Sequence, residues 1–134
     1  MLRLIAAFLC LGTAAVRAEG CTDIHDIHFP AGKNSTTVAD GVVRAELSCY
    51  AFNAGSGQVV DVSVTSVENN AVFQIYRPGW KMVDGAPDGA MLPGAGDSND
   101  ATHIKDVLPA TGRYVIVVGG TRGNADFKLT LAIE

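Results

Sequence analysis

The sequence predicts an all-β chain folded as a two-sheet antiparallel β-sandwich of about seven or eight strands. Three observations carry that expectation. From residue 27 onward, short runs rich in Val, Thr, Ile and Phe alternate with clusters of Gly, Asn, Asp and Pro. Several of those runs alternate apolar and polar residues with period two, as a half-buried strand requires. No stretch places apolar residues at i, i+3, i+4 and i+7 for long enough to build a helix.

The strands follow in order. Segment 35–43 is rich in Thr and Val. In 46–54, Ser48, Tyr50 and Phe52 share one face and Leu47, Cys49 and Ala51 the other, after which Asn53-Ala54-Gly55-Ser56-Gly57 turns the chain. Segment 58–67 sets Val60, Val62 and Val64 on a dry face against Asp61, Ser63 and Thr65 on a wet one. Asn69-Asn70 supplies the next turn. In 71–76 Phe73 and Ile75 point inward, and Arg77-Pro78-Gly79 ends the run because proline cannot donate to a ladder. Segment 80–100, crowded with Gly, Pro and Asp, is expected to be a long loop or a pair of loops, functional or mobile. Pattern resumes at 102–108, turns at Pro109-Ala110-Thr111-Gly112, and runs through 113–118. After 119–124 the last strand, 125–133, aligns Phe127, Leu129, Leu131 and Ile133 on one face.

The N-terminal 18 residues have the design of a secretory signal: Arg3, an apolar run over 4–11, and Val16-Arg17-Ala18 before the cleavage point. They are left out of the fold, and a single domain is expected over 19–134. Cys21 follows Ala18-Glu19-Gly20, so lipid attachment at that thiol stands as the alternative to ordinary cleavage after Ala18. The apolar run is far short of the ~20 residues that cross a bilayer, so no membrane span is expected and the location is periplasmic or secreted. Without Arg3 and Arg17 the chain carries eight basic and fourteen acidic residues, a formal charge of −6. Such a surface argues against nucleic acid, which needs basic stripes, and favours a cationic partner. Cys10 leaves with the signal. Cys21 and Cys49 remain as an even pair in an oxidising compartment and are expected to form a disulfide.

Chemistry is sparse. His25 and His28 are close in sequence, but residues three apart in an extended chain face opposite ways, so a shared metal ion is not expected from them or from His103. Asp84, Asp88, Asp97 and Asp100 match no calcium-loop spacing. There is no nucleophile elbow, no phosphate-cradling loop and no free Cys/His pair, so no catalytic residue, metal or cofactor is assigned. A dispersed pair of carboxylates would escape such a search, since it meets only in space. Trp80 is either an exposed stacking platform or a loop anchor packed on the sandwich. Asn34-Ser35-Thr36 fits a glycosylation triplet that means little in a chain of bacterial character.

The order of motifs is nevertheless familiar. Phe-x-x-Gly-Lys-Asn-Ser-Thr-Thr-Val covers 29–38, followed by Tyr50-Ala51-Phe52-Asn53-Ala54 and Gly57-Gln58-Val59-Val60-Asp61-Val62. Then come Phe-Gln-Ile-Tyr-Arg-Pro-Gly over 73–79 and Leu-Pro-Ala-Thr-Gly-Arg-Tyr-Val-Ile-Val-Val over 108–118. This resembles the bacterial pre-peptidase C-terminal-like sandwich and, within it, the periplasmic inhibitors of g-type and i-type lysozymes. The lysozyme-inhibitor families share a Ser-Gly-x-Tyr motif that in some of them enters the enzyme cleft. Here it reads Thr111-Gly112-Arg113-Tyr114, with threonine in place of serine. The segment Thr121-Arg122-Gly123-Asn124-Ala125 is similar to the Thr-Arg-rich loop of the g-type inhibitors, with Arg122 its one arginine. The resemblance therefore implies a partner-binding set of Thr111, Gly112, Arg113, Tyr114, Arg122 and Asn124, and a cationic lysozyme as partner. The competing expectation is an envelope accessory module that binds polysaccharide or another protein through 80–100. An enzyme with a dispersed carboxylate site ranks third.

Overall fold

A computed structural model describes residues 20, 21 and 23–134; the signal segment and its cleavage point lie outside them. The elements are β1 (Ile24–Asp26), β2 (Ser35–Val42), β3 (Leu47–Ala54), β4 (Val59–Ser66), β5 (Ala71–Tyr76), β6 (Lys81–Val83), β7 (Ala86–Asp88), β8 (His103–Val107), β9 (Gly112–Gly120) and β10 (Ala125–Ile133). Eight of them form two four-stranded sheets, ordered β1-β3-β9-β5 and β2-β10-β4-β8, and β6-β7 is a separate hairpin. All pairings are antiparallel except β1 with β3, which is parallel. The chain is thus a two-sheet β-sandwich, with ten strands where seven or eight were expected.

Period-two alternation explains the core. Val60, Val62 and Val64 of β4 and Phe127, Leu129 and Leu131 of β10 point inward from one sheet, facing Tyr50, Phe52, Phe73, Ile75, Tyr114 and Ile116 of the other. Phe52 and Tyr114 lie stacked with centroids 5.2 Å apart, and Tyr50 meets Phe127 edge-on at 6.3 Å. The Tyr50 hydroxyl donates to Asp40 at the sandwich margin, so the one polar tip of this ring is satisfied without being drawn into the core.

Strand β9 does not alternate, and the structure gives the reason. Tyr114, Val115, Ile116, Val117 and Val118 are all buried because the outer face of their sheet is covered too. Cys21, Cys49, Tyr76, Val115 and Val117 form a second apolar cluster there, with Trp80 and Met91 packed against it. A strand buried on both faces reads as an unbroken apolar run. The expected disulfide joins Cys21 to Cys49 across this cluster, with the Cα atoms 6.0 Å apart, and so holds β1 beside β3.

The expectation for 80–100 is corrected. Instead of a free loop, the segment forms the β6-β7 hairpin, whose Gly85 carbonyl accepts from the Cys21 amide at 3.0 Å. It then runs along the outer edge of β5, where Leu92 donates to Ile75, Ile75 to Ala95, and Phe73 to Ala101, all at 2.9–3.1 Å. Leu92, Ala95 and Ala101 are buried in the main core. The segment looks irregular in sequence because it caps an edge with small residues and turns, not with a full strand.

Candidate functional site

The turn between β8 and β9 is built by its neighbours. Leu108 exchanges backbone bonds with Gly57 and Gln58, donating to Gln58 at 2.7 Å and accepting from Gly57 at 2.9 Å. The Gly55 amide donates to the Gln58 side chain, which fixes the adjoining turn. Thr111 Oγ1 accepts from the Ser56 amide at 2.9 Å, which leaves its own hydroxyl proton free to donate outward. Gly112 has φ +152°, and a Cβ there would sit 2.8 Å from the Pro78 ring, so glycine is required by both conformation and space.

Arg113 is the charged group of this turn, exposed yet held. Its Nη2 donates to Asp26 Oδ1 at 2.8 Å, and the centre of its guanidinium lies 5.6 Å from the Trp80 ring centroid. The Trp80 Nε1 in turn donates to the Arg113 carbonyl at 2.9 Å. Trp80 is therefore an anchor packed on the sheet that also offers one face to a cation. Beside the turn an open cleft of about 510 Å³ is bordered by Asp26, His28, Phe29, Asn53 and Arg113.

Tyr114 takes a different part from the one expected of it. It is fully buried, and its hydroxyl donates to the Ala110 carbonyl at 2.6 Å and accepts from the Ala110 amide at 3.2 Å. Its side chain shapes the turn from beneath and presents no surface to a partner. Arg122 and Asn124 are also set apart. Strand β9 spans nine residues, so at ~3.3 Å per residue roughly 26 Å of sheet separates the Arg113 turn from the Arg122 turn. At that far end Arg122 Nη2 donates to the Glu68 carbonyl at 2.7 Å, and Asn124 Oδ1 accepts from the Arg44 amide at 2.7 Å. The structure thus brings Thr111, Gly112 and Arg113 together and leaves Arg122 and Asn124 at the opposite pole.

Sequence reasoning missed Asp26, and it singled out Trp80 as a stacking platform or loop anchor without its partner Arg113. Neither lies in a motif, and Trp80 and Arg113 are 33 residues apart. The one available signal was the solitary tryptophan itself, next to the strand-ending Arg77-Pro78-Gly79. The histidines also differ from expectation in one respect. Strand β1 stops at Asp26, so the two-face rule does not reach His28, and His25 and His28 border one shallow groove with Asp40 and Tyr50. Among the described residues no group of three or more His, Cys, Asp or Glu side chains converges as metal ligands would. His103 instead meets Asp61 on the surface at 2.8 Å.

No family model matches the sequence, and no curated protein matches it. Solved structures do. The architecture is that of the pre-peptidase C-terminal sandwich: the pre-peptidase C-terminal domain of a Bacillus anthracis collagenase superposes with TM-score 0.51 at 18% identity, over 84% of this chain and 95% of that one. More similar are PliG proteins, periplasmic inhibitors of g-type lysozyme. Aeromonas hydrophila PliG gives TM-score 0.64 at 22% identity over 83% of this chain and 96% of its own. Salmonella Typhimurium PliG gives 0.62 at 23%, over 85% and 100%. At these identities the likeness is one of fold.

Proposed function

We propose that the protein is a periplasmic lysozyme inhibitor, directed at a g-type or i-type enzyme, that works by docking the Thr111–Gly112–Arg113 turn into the cleft and carries out no reaction. The observation that carries this reading is the presentation of Arg113, a cation held at the rim of a sandwich whose fold spans nearly the whole of each PliG chain. A glycosidase cleft is lined by carboxylates. An inhibitor therefore needs fixed donors at a protruding point, and Arg113 has four N–H groups left after Asp26 takes one. Thr111 adds a hydroxyl proton beside it. The acidic body, at −6 without the signal segment, speeds approach to a cationic enzyme at low salt.

The rival reading, an envelope module that recognises its ligand through 80–100, has less support because that segment is committed to the β5 edge and the outer face of the sheet. Titrating the protein, freed of residues 1–18, into lysozymes of the three animal classes decides between them. Stoichiometric loss of lysis by a g-type or i-type enzyme is expected, with Arg113→Ala raising the inhibition constant by about 10- to 100-fold for one charged hydrogen-bond set. Undiminished lysis by every class at micromolar excess overturns the proposal.

A further inference from the structure

We infer that Trp80 and Asp26 are positioning residues for Arg113, fixing its guanidinium on the outer face of the sheet beside the turn, in the orientation that meets a carboxylate of the partner. The inference rests on the reading of this turn as the inhibitory surface. An exposed arginine ordinarily samples many rotamers, and ordering it on binding costs affinity. Here two contacts of different kinds restrict it beforehand.

The indole is locked to the residue it serves. Trp80 Nε1 bonds the Arg113 carbonyl, and the guanidinium of the same residue folds back over the ring at 5.6 Å. Trp80 is itself seated against the outer apolar cluster with Val115 and Tyr76. The carboxylate restricts the guanidinium in its own plane, through the single bond from Nη2 to Asp26 Oδ1 at 2.8 Å. Asp26 is placed by β1, which the Cys21–Cys49 bridge holds beside β3. Both partners of the ion pair are about half exposed, 45% and 53%, so that contact alone is weak and salt-screened. Stacking on the ring does not depend on ionic strength in the same way. The division of labour follows: Trp80 contributes most of the positioning and Asp26 refines it.

Trp80 is the one tryptophan of the chain, so incorporation of fluorotryptophan yields a single fluorine resonance from the protein. In the free protein Arg113→Ala and Asp26→Asn should shift that resonance, and Arg122→Ala, at the other pole, should not. Against the inhibited lysozyme, Trp80→Leu should raise the inhibition constant about two- to fivefold, the range expected for losing one exposed cation–ring contact. The same substitution on an Arg113→Ala background should add almost nothing, because the residue being positioned is already gone. A melting-temperature control separates this from loss of packing. Additive losses in the double variant overturn the inference, since a merely structural tryptophan would behave that way. A resonance indifferent to Arg113→Ala overturns it even if no lysozyme is inhibited. A responsive resonance together with uninhibited lysozymes leaves the contact intact and removes the inhibitor reading instead.

Discussion

Removing the disulfide by the double substitution Cys21→Ala and Cys49→Ala tests how the site end is held together. The bridged cysteines are 28 residues apart, and on the chain-entropy model a loop of that length is worth about 3.6 kcal/mol at room temperature. Both positions are buried in the outer cluster, and alanine at each removes a sulfur, adding a small cavity cost of up to about 1 kcal/mol. Equilibrium unfolding in urea should therefore show a loss of about 3–5 kcal/mol, with a somewhat steeper slope because the uncrosslinked unfolded chain exposes more surface. Hydrogen exchange localises the damage. Amides of β1, which follows Cys21, and of the β6-β7 hairpin, whose Gly85 accepts from the Cys21 amide, should lose protection in the variant, while β4 and β10 in the other sheet keep theirs relative to global stability. A loss below about 1 kcal/mol, or protection in β1 and the hairpin that falls no further than global stability does, would refute the view that the bridge pins one segment to one sheet.

Other perturbations probe the turn and the core. Gly112→Ala forces a side chain into the Pro78 ring at a φ that L residues avoid, and should cost about 2–4 kcal/mol in urea unfolding; a cost under 1 would mean that the turn relaxes freely. The Tyr50 phenol is pushed above its usual range by burial first, then by the hydrogen bond and negative charge of Asp40. Above about pH 10 the unfolded chain releases this proton while the folded chain keeps it, so stability falls as pH rises, by about 1.4 kcal/mol per unit for that group. Tyr50→Phe should flatten the alkaline limb of the unfolding free energy, and an unchanged slope would contradict the assignment.

Much of the fold was legible because burial on one face imposes a period on the sequence. The bounds of β5 and β10 and the inward sets of β4 and β10 follow from alternation alone. What escaped has no period to read. Strand β1 is three residues long and pairs in parallel with β3, three residues after the bridged Cys21. The β6-β7 hairpin is short, and its first strand, Lys81–Val83, is exposed throughout; Pro87 is tolerated because the hairpin has no further ladder to serve. The site was half legible. The motif Thr111-Gly112-Arg113-Tyr114 located the turn, but its last three residues open a core strand, and the tyrosine belongs to the core. Arg122 joined Arg113 through the resemblance of 121–125 to the Thr-Arg-rich loop, but the strand between them crosses the whole sheet and carries it to the other end. Asp26 and Trp80 come from distant parts of the chain, and their meeting at Arg113 is a product of the fold.

The central claim is that one pole of the sandwich, the Thr111–Arg113 turn, is the surface that meets lysozyme. Amide NMR of the nitrogen-labelled protein, titrated with an unlabelled g-type or i-type lysozyme, reads this directly. The account predicts perturbations gathered at residues 26–29, 53–57 and 110–113, with the turn at 121–124 and the β6-β7 hairpin unmoved. Perturbations centred on Arg122 and Asn124, or on the hairpin, would contradict it.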